Sequence, residues 1–127
     1  MSNKTAITSN ELSPPVGPFS PALRSGEYIF FSGQVGQHPS TGRLVSGGVE
    51  PETEQIFANL ALLLAAADKM FSDVVRVGVF LTDISSFSTM NGIYAKYFTQ
   101  PYPARTTVGV AALPLGASVE IEIIVRT

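Results

Sequence analysis

The sequence predicts an α+β fold, an α/β sandwich in which two helices cover one face of a β-sheet. Segments rich in β-branched and aromatic residues lie before, between and after two segments with helical spacing, in the order β–β–(β)–α–β–α–β–β. Several strands are apolar on both faces, which indicates a sheet covered on both faces. The length of 127 residues fits one domain, residues 1–127.

The first half of the chain holds the early strands. Residues 5–8 favour a short strand, residues 9–22 contain four prolines and favour an irregular loop, and residues 27–35 favour a longer strand. A turn at residues 38–42 leads to an expected return strand near residues 43–45.

The first predicted helix follows Gly47-Gly48. Pro51 suits its first turn, where Glu50, Glu52 and Glu54 interact favourably with the positive end of the helix dipole. Its buried stripe recurs at intervals of three and four residues: Ile56, Leu60, Leu63, Ala67 and Met70.

The second half alternates strand, helix and two strands. Residues 74–81 favour a strand, Ser85 or Ser86 caps a second helix, and strands follow at residues 105–111 and 118–126. The apolar face of this helix comprises Phe87, Met90, Ile93, Tyr94, Tyr97 and Phe98.

One face of the predicted sheet has no cover in this chain. In the second predicted strand Tyr28 and Phe30 point to one face, and Ile29, Phe31 and Val35 point to the other. Two helices cover one face only, and the sequence predicts no third long helix. We therefore expect another copy of the chain on the second face.

The composition supports this expectation and excludes several classes of protein. Charged residues make up 14% of the chain, against about 25% in typical soluble domains. A net charge of −2 without a basic run argues against nucleic acid as a partner. No segment is long enough to span a membrane, and no export signal begins the chain, which favours a cytoplasmic protein. Without cysteine and with one histidine, thiol catalysis and cysteine- or histidine-rich metal sites are excluded.

Three charged residues in the last two strands are candidates for chemistry. Glu120 and Glu122 share one face of a strand otherwise made mainly of Val and Ile. That face is either an ordinary solvated face or a functional site. Arg105 opens the preceding strand, where its guanidinium is either a clamp for a carboxylate or phosphate or a structural partner of these glutamates.

Three further features are open to a structural or a functional interpretation. Gly33, between Ser32 and Gln34, is typical of a bulge or of close approach by a ligand. Gly92, after Asn91, interrupts the second helix and indicates close packing or a ligand contact. His38 lies in a turn and is expected at the surface.

The motifs taken together resemble the YjgF/RidA family of reactive-intermediate deaminases. The segments that carry the resemblance are Pro-Ala-Arg-Thr-Thr-Val at 103–108, Leu-Pro at 113–114, Val-Glu-Ile-Glu at 119–122, Gly-Pro-Phe-Ser-Pro-Ala at 17–22 and Phe-Ser-Gly-Gln at 31–34. The resemblance implies a chorismate-mutase-like fold with a mixed sheet, and homotrimers with clefts between subunits. It also implies cofactor-free hydrolysis of 2-iminobutanoate and 2-iminopropanoate to 2-oxo acids and ammonia.

The resemblance assigns roles to individual residues. Arg105 matches the arginine that holds the substrate carboxylate, and Glu120 matches the acid that positions or activates water. The remaining matches are expected to line the cleft: Phe19, Ser32, Gly33, Asn91 and Thr107. Thr107 stands where many members have cysteine, and Phe19 stands where the archetype has tyrosine.

Two other functions remain open at this point. A non-catalytic trimer that binds 2-oxo acids or other small carboxylates would use Arg105 equally well. A deaminase of a different unsaturated amine in a catabolic pathway is consistent with Phe19. RNA cleavage, attached to some family members, is disfavoured by the acidic chain.

Overall fold

A computed structural model describes residues 3–127. Within that range the strands are β1 (Lys4–Ile7), β2 (Ala22–Ser25), β3 (Tyr28–Gln34), β4 (Val74–Leu81), β5 (Ala104–Gly109) and β6 (Val119–Arg126), and the helices are α1 (Val49–Ala66) and α2 (Phe87–Tyr94). The strands form one sheet in the order β1-β2-β3-β6-β4-β5. Only β4 and β5 pair in parallel, because α2 forms the crossover between them. The predicted α+β fold with a mixed sheet is confirmed.

The prediction was wrong at two places in the first half. β2 was placed in part within the loop, yet it pairs with both β1 and β3. Its four residues, Ala22–Ser25, are too short to show a pattern by themselves. The return strand expected near residues 43–45 is a single bridge between Gln37 and Leu44.

Helix α1 buries the predicted stripe but ends earlier than its last member. Ile56, Leu60 and Leu63 are fully buried, whereas Met70 lies beyond the helix and is 65% exposed. Glu52 lies in the first turn of α1, as expected, and also makes a tertiary contact. Its side chain is buried and accepts a hydrogen bond of 2.7 Å from the backbone N–H of Ser118.

Ser86 is the N-cap residue of α2, as expected, but its side chain makes no capping hydrogen bond. The side-chain cap belongs to the preceding turn and is formed by Asp83. Its carboxylate accepts hydrogen bonds from both the backbone N–H and the hydroxyl of Ser85, at 3.0 and 2.6 Å. These bonds organise a single 3₁₀ turn, Ile84–Ser86, that leads directly into α2.

The core lies between the helices and one face of the sheet, which we call the helix face. The predicted alternation in β6 is confirmed, since Val119, Ile121, Ile123 and Val125 are all buried. Burial of such side chains contributes roughly 1.5–3 kcal/mol each to stability. The helix face thus supplies most of the apolar burial of the fold.

The opposite face, which we call the open face, carries large apolar side chains in contact with solvent. Tyr28 and Phe30 are each 45% exposed, on the face that the sequence left without a cover. Neither helix within residues 3–127 packs on this side, because the residues that α1 and α2 contact lie on the helix face.

Candidate active site

Arg105 lies on the edge strand β5 with its side chain on the helix face. It is in register with the buried Val77 of β4, and paired residues of neighbouring strands point to the same face. Its Nη1 donates a hydrogen bond of 2.7 Å to Oδ1 of Asn91. Its Cζ lies 4.6 Å from the ring centroid of Tyr94 and 5.5 Å from that of Phe87.

These three contacts come from one stripe of α2. Phe87, Asn91 and Tyr94 are spaced by four and three residues, so they face the same direction. We call this stripe the Arg105 cradle. The sequence analysis identified Asn91 but assigned Phe87 and Tyr94 to the core alone. The helical spacing of both aromatic residues around Asn91 is the signal that could have found them.

Tyr94 is almost completely buried beneath the guanidinium. Its hydroxyl has no hydrogen-bond partner among residues 3–127. Burial raises the pKa of the Tyr94 phenol, and the positive charge of Arg105 offsets part of that rise. The phenol therefore stays neutral and uncharged beside the arginine at physiological pH.

Thr107 shares the helix face with Arg105, two residues further along β5. It is in register with the buried Val79. Its hydroxyl is buried and has no hydrogen-bond partner in the described part of the chain. A buried hydroxyl without a partner costs stability.

Glu120 projects from β6 onto the open face. It pairs with Phe80 of β4 and is half-buried. Its carboxyl lies so close to Gly33 that a Cβ there would stand 2.8 Å from Cδ. Partial burial raises the pKa of Glu120, and the negative charge of Glu122 raises it further.

Gly33 lies at a bulge and also allows another group to approach closely, so both interpretations of its position apply. The pairing of β3 with β6 shifts register between Phe31 and Gln34, which is a bulge. The missing side chain of Gly33 also makes room for Glu120. Ser32 is held by the preceding loop, since its hydroxyl donates to the carbonyl of Ser20 at 2.6 Å.

Phe19 lies in a cleft beside Gly33. This cleft, which we call the loop cleft, has a volume of about 480 Å³ and is lined mainly by residues 8–21 and 33–39. None of its lining residues is charged, and Phe19 is 52% exposed there. The loop cleft can therefore hold an uncharged group but offers no counter-ion for a charged one.

One chain does not bring its two principal candidates together. Arg105 points to the helix face and Glu120 points to the open face. The structural pairing of Arg105 with Glu120 or Glu122 is not formed either, because Arg105 bonds to Asn91. Within one chain the two groups therefore lie on opposite faces of the sheet.

His38 is exposed, as predicted, and contacts Ser40. Gly92 does not serve close packing within the chain, since a Cβ there would meet no atom within 4 Å. Among residues 3–127, no group of three or more His, Asp and Glu side chains is gathered as a metal site requires. No helix in that range is long and apolar enough to cross a membrane.

Comparison with known proteins identifies the family. The model of a family described as endoribonuclease L-PSP matches residues 8–127. The chain belongs to the YjgF/RidA family. The YjgF/RidA resemblance seen in the sequence is thereby confirmed, together with the chorismate-mutase-like fold.

Individual YjgF/RidA relatives are similar over most of this chain. Reactive Intermediate Deaminase A, chloroplastic, from Arabidopsis thaliana is 45% identical over 122 residues, which are 95% of this chain and 65% of that protein. The 2-iminobutanoate/2-iminopropanoate deaminase of Homo sapiens is 47% identical over 84% of this chain and 78% of its own length. The crystal structure of E. coli TdcF with bound serine matches with a TM-score of 0.89 and 30% identity, covering 97% of this chain and 98% of that one.

Proposed function

We propose that the protein hydrolyses 2-imino and enamine acids, such as 2-iminobutanoate and 2-iminopropanoate, to 2-oxo acids and ammonia without a cofactor. The observation that carries this proposal is that contacts within the chain already hold the side chain of Arg105 in place. Asn91 and the two aromatic rings hold its guanidinium at a strand edge, where a carboxylate can reach it. The human relative is named for this reaction, and TdcF was solved with serine, an amino acid, bound.

Arg105 would grip the carboxylate of the substrate. One of its terminal nitrogens is directed to Asn91, and its other N–H groups can donate to two carboxylate oxygens. Because the side chain is already held by α2, little orientational freedom is lost when substrate binds. Thr107 lies two residues further along the same face of β5, so it borders the same position.

Glu120 would place and activate the water. Its raised pKa makes the ionised carboxylate a stronger base than an exposed glutamate, so it can accept a proton as water attacks the imine carbon. With the imine nitrogen already protonated by solvent, this addition gives a neutral carbinolamine. Glu120 then returns its proton to the nitrogen, and as the C–N bond breaks and ammonia leaves, the hydroxyl proton passes to the Glu120 carboxylate and on to solvent. The carbon is left as the carbonyl of the 2-oxo acid.

We further propose that the site forms between neighbouring subunits of a homotrimer. Support comes from the opposite directions of Arg105 and Glu120 and from the apolar open face, which another copy can cover. The low charge of the chain fits this assembly, since a buried face needs few charged side chains. Each cleft would then take Arg105 from one subunit and Glu120 from its neighbour.

The loop cleft bears on the choice of substrate. Gly33 lines this cleft and also contacts Glu120, so the cleft adjoins the proposed reaction centre. Its uncharged lining favours substrates whose side chain carries no charge, which includes the two small imines. Phe19 lies at the wall of this cleft, and a larger unsaturated amine is the alternative physiological substrate.

The proposal is tested with a pyridoxal-phosphate dehydratase that generates the imines from threonine or serine. The wild-type protein should accelerate 2-oxo acid formation, and Arg105→Ala should abolish the acceleration while the oligomer stays intact. Arg43→Ala, at an exposed arginine, is the matched control and should keep full activity. Full activity of Arg105→Ala would contradict the assignment, and binding of 2-oxobutanoate without turnover would favour a binding protein.

A further inference from the structure

We propose that Tyr94 is a positioning residue for Arg105, whose aromatic ring is the platform that holds the guanidinium ready for a carboxylate. This inference rests on the proposed function, since it assigns a means of orientation to the same site. Its basis is the position of Cζ of Arg105, 4.6 Å from the ring centroid. At that distance a cation is attracted to the electron-rich face of the ring.

The platform is itself held rigidly. Tyr94 is 7% exposed, and its ring packs against Phe98 at a centroid distance of 4.5 Å and edge-on against Phe57 at 6.1 Å. Phe57 belongs to α1 and is fully buried. The position of the guanidinium is therefore tied through Tyr94 to the central packing between the two helices.

The ring, and not the hydroxyl, is the part that acts in this account. The hydroxyl of Tyr94 is buried and has no partner with hydrogen-bond geometry among residues 3–127, although it lies near enough to Arg105 for the arginine to lower the pKa of the phenol. The hydrogen bond to Arg105 comes from Asn91 instead. A phenylalanine would keep the platform, whereas a leucine of similar bulk would remove it.

Kinetics of two variants separate these contributions. Tyr94→Phe should keep KM for the imine within about twofold of the wild type. Tyr94→Leu should raise KM roughly 2- to 30-fold, the range that a cation–π contact supports, with a much smaller change in kcat. The dissociation constant of 2-oxobutanoate, measured by titration calorimetry, should rise by the same factor as KM.

A matched control removes an aromatic ring that does not touch Arg105. Phe71→Leu perturbs the same aromatic cluster, because within residues 3–127 the Phe71 ring packs on Phe57 and Phe98 and not on Tyr94 or Arg105. It should lower the melting temperature about as much as Tyr94→Leu while leaving KM unchanged. Equal KM values for Tyr94→Leu and the wild type would overturn the proposal. An equal loss in Tyr94→Phe and Tyr94→Leu would also overturn it, because the hydroxyl would then be the acting group.

A spectroscopic measurement keeps the proposal independent of catalysis. The Nε–H proton of Arg105, assigned by its loss in Arg105→Lys, should resonate upfield in the wild type and in Tyr94→Phe. An ordinary chemical shift in the wild-type protein would overturn the proposal even if Tyr94→Leu fails to fold. If the wild type shows the upfield shift but no imine hydrolysis, the platform stands and the proposed function fails.

Discussion

Replacement of Gly33 by alanine displaces the carboxyl of Glu120 while the glutamate itself is retained. The added Cβ would stand 2.8 Å from Cδ, 2.9 Å from Oε2 and 3.1 Å from Cγ of Glu120. To restore ordinary van der Waals contact, the carboxyl must retreat by roughly 0.6 Å. The backbone of Gly33 does not lie in the left-handed region, so alanine is allowed there.

The expected loss falls on activity and not on folding. A displacement of about 1 Å in a catalytic group costs roughly 100-fold in rate, so we expect kcat to fall about 10- to 100-fold. The strain of a displaced side chain costs about 0.5–1.5 kcal/mol. The smaller entropy of the unfolded chain with alanine offsets about 0.4–1 kcal/mol of that cost. The free energy of unfolding should therefore stay within about 1 kcal/mol of the wild type.

The structure provides a matched control at the neighbouring carboxylate. A Cβ at Gly78 would stand 3.0 Å from both Cγ and Oε1 of Glu122, so Gly78→Ala displaces a glutamate that acts on the reaction only through the pKa of Glu120 and should leave kcat unchanged at a pH above the acidic limb. Both variants are compared in the dehydratase-coupled assay and by urea unfolding, at matched oligomeric state. If Gly33→Ala loses no more activity than Gly78→Ala, the position of the Glu120 carboxyl does not matter, and the reasoning is refuted.

Three other predictions concern charge, stability and substrate choice. Glu122→Gln removes the negative charge that helps to raise the pKa of Glu120. The acidic limb of the pH profile of kcat/KM should therefore move to lower pH. A limb that does not move would count against Glu120 as the base. Glu52→Ala leaves the N–H of Ser118 without its acceptor and should cost about 1–3 kcal/mol in urea unfolding, a result that an unchanged midpoint would contradict. Phe19→Tyr should change the ratio of kcat/KM for small and large imines by about two- to tenfold without lowering stability. An identical ratio would remove Phe19 from the substrate site.

The pH dependence of stability follows from the same carboxylate. Because the folded state holds the pKa of Glu120 above its unfolded value, the ionised form is disfavoured by folding. Glu120 therefore contributes most to the free energy of unfolding at a pH below its unfolded pKa. That contribution falls as the pH rises through its folded pKa. Glu120→Gln should remove that part of the pH dependence.

Most of the fold could be predicted because its elements are long and strongly periodic. The alternation of Val and Ile with Glu in β6 identified the buried face correctly. β2 could not be found in this way, since Ala22–Ser25 is stabilised by pairing on both sides and not by its own pattern. Local pattern alone does not encode such non-local pairing.

The site was predictable in its residues but not in its geometry. The motifs singled out Arg105 and Glu120, yet their opposite directions depend on the parallel register of β5 with β4 and the antiparallel register of β6 with β4. Tyr94 was assigned to the core because a buried aromatic residue on a helix usually has only that role. Its second contact, with Arg105, arises from the crossover that places α2 beside the edge strand.

Subunit mixing tests the central claim most directly, that each site takes Arg105 from one chain and Glu120 from another. Arg105→Ala and Glu120→Gln are each inactive in this account when assembled alone. If they are unfolded together in equal amounts and refolded, random trimers should regain about a quarter of the wild-type sites, and with them about a quarter of the imine hydrolysis. Activity no higher than the average of the two separate variants, in a mixture shown to have exchanged subunits, would contradict the account.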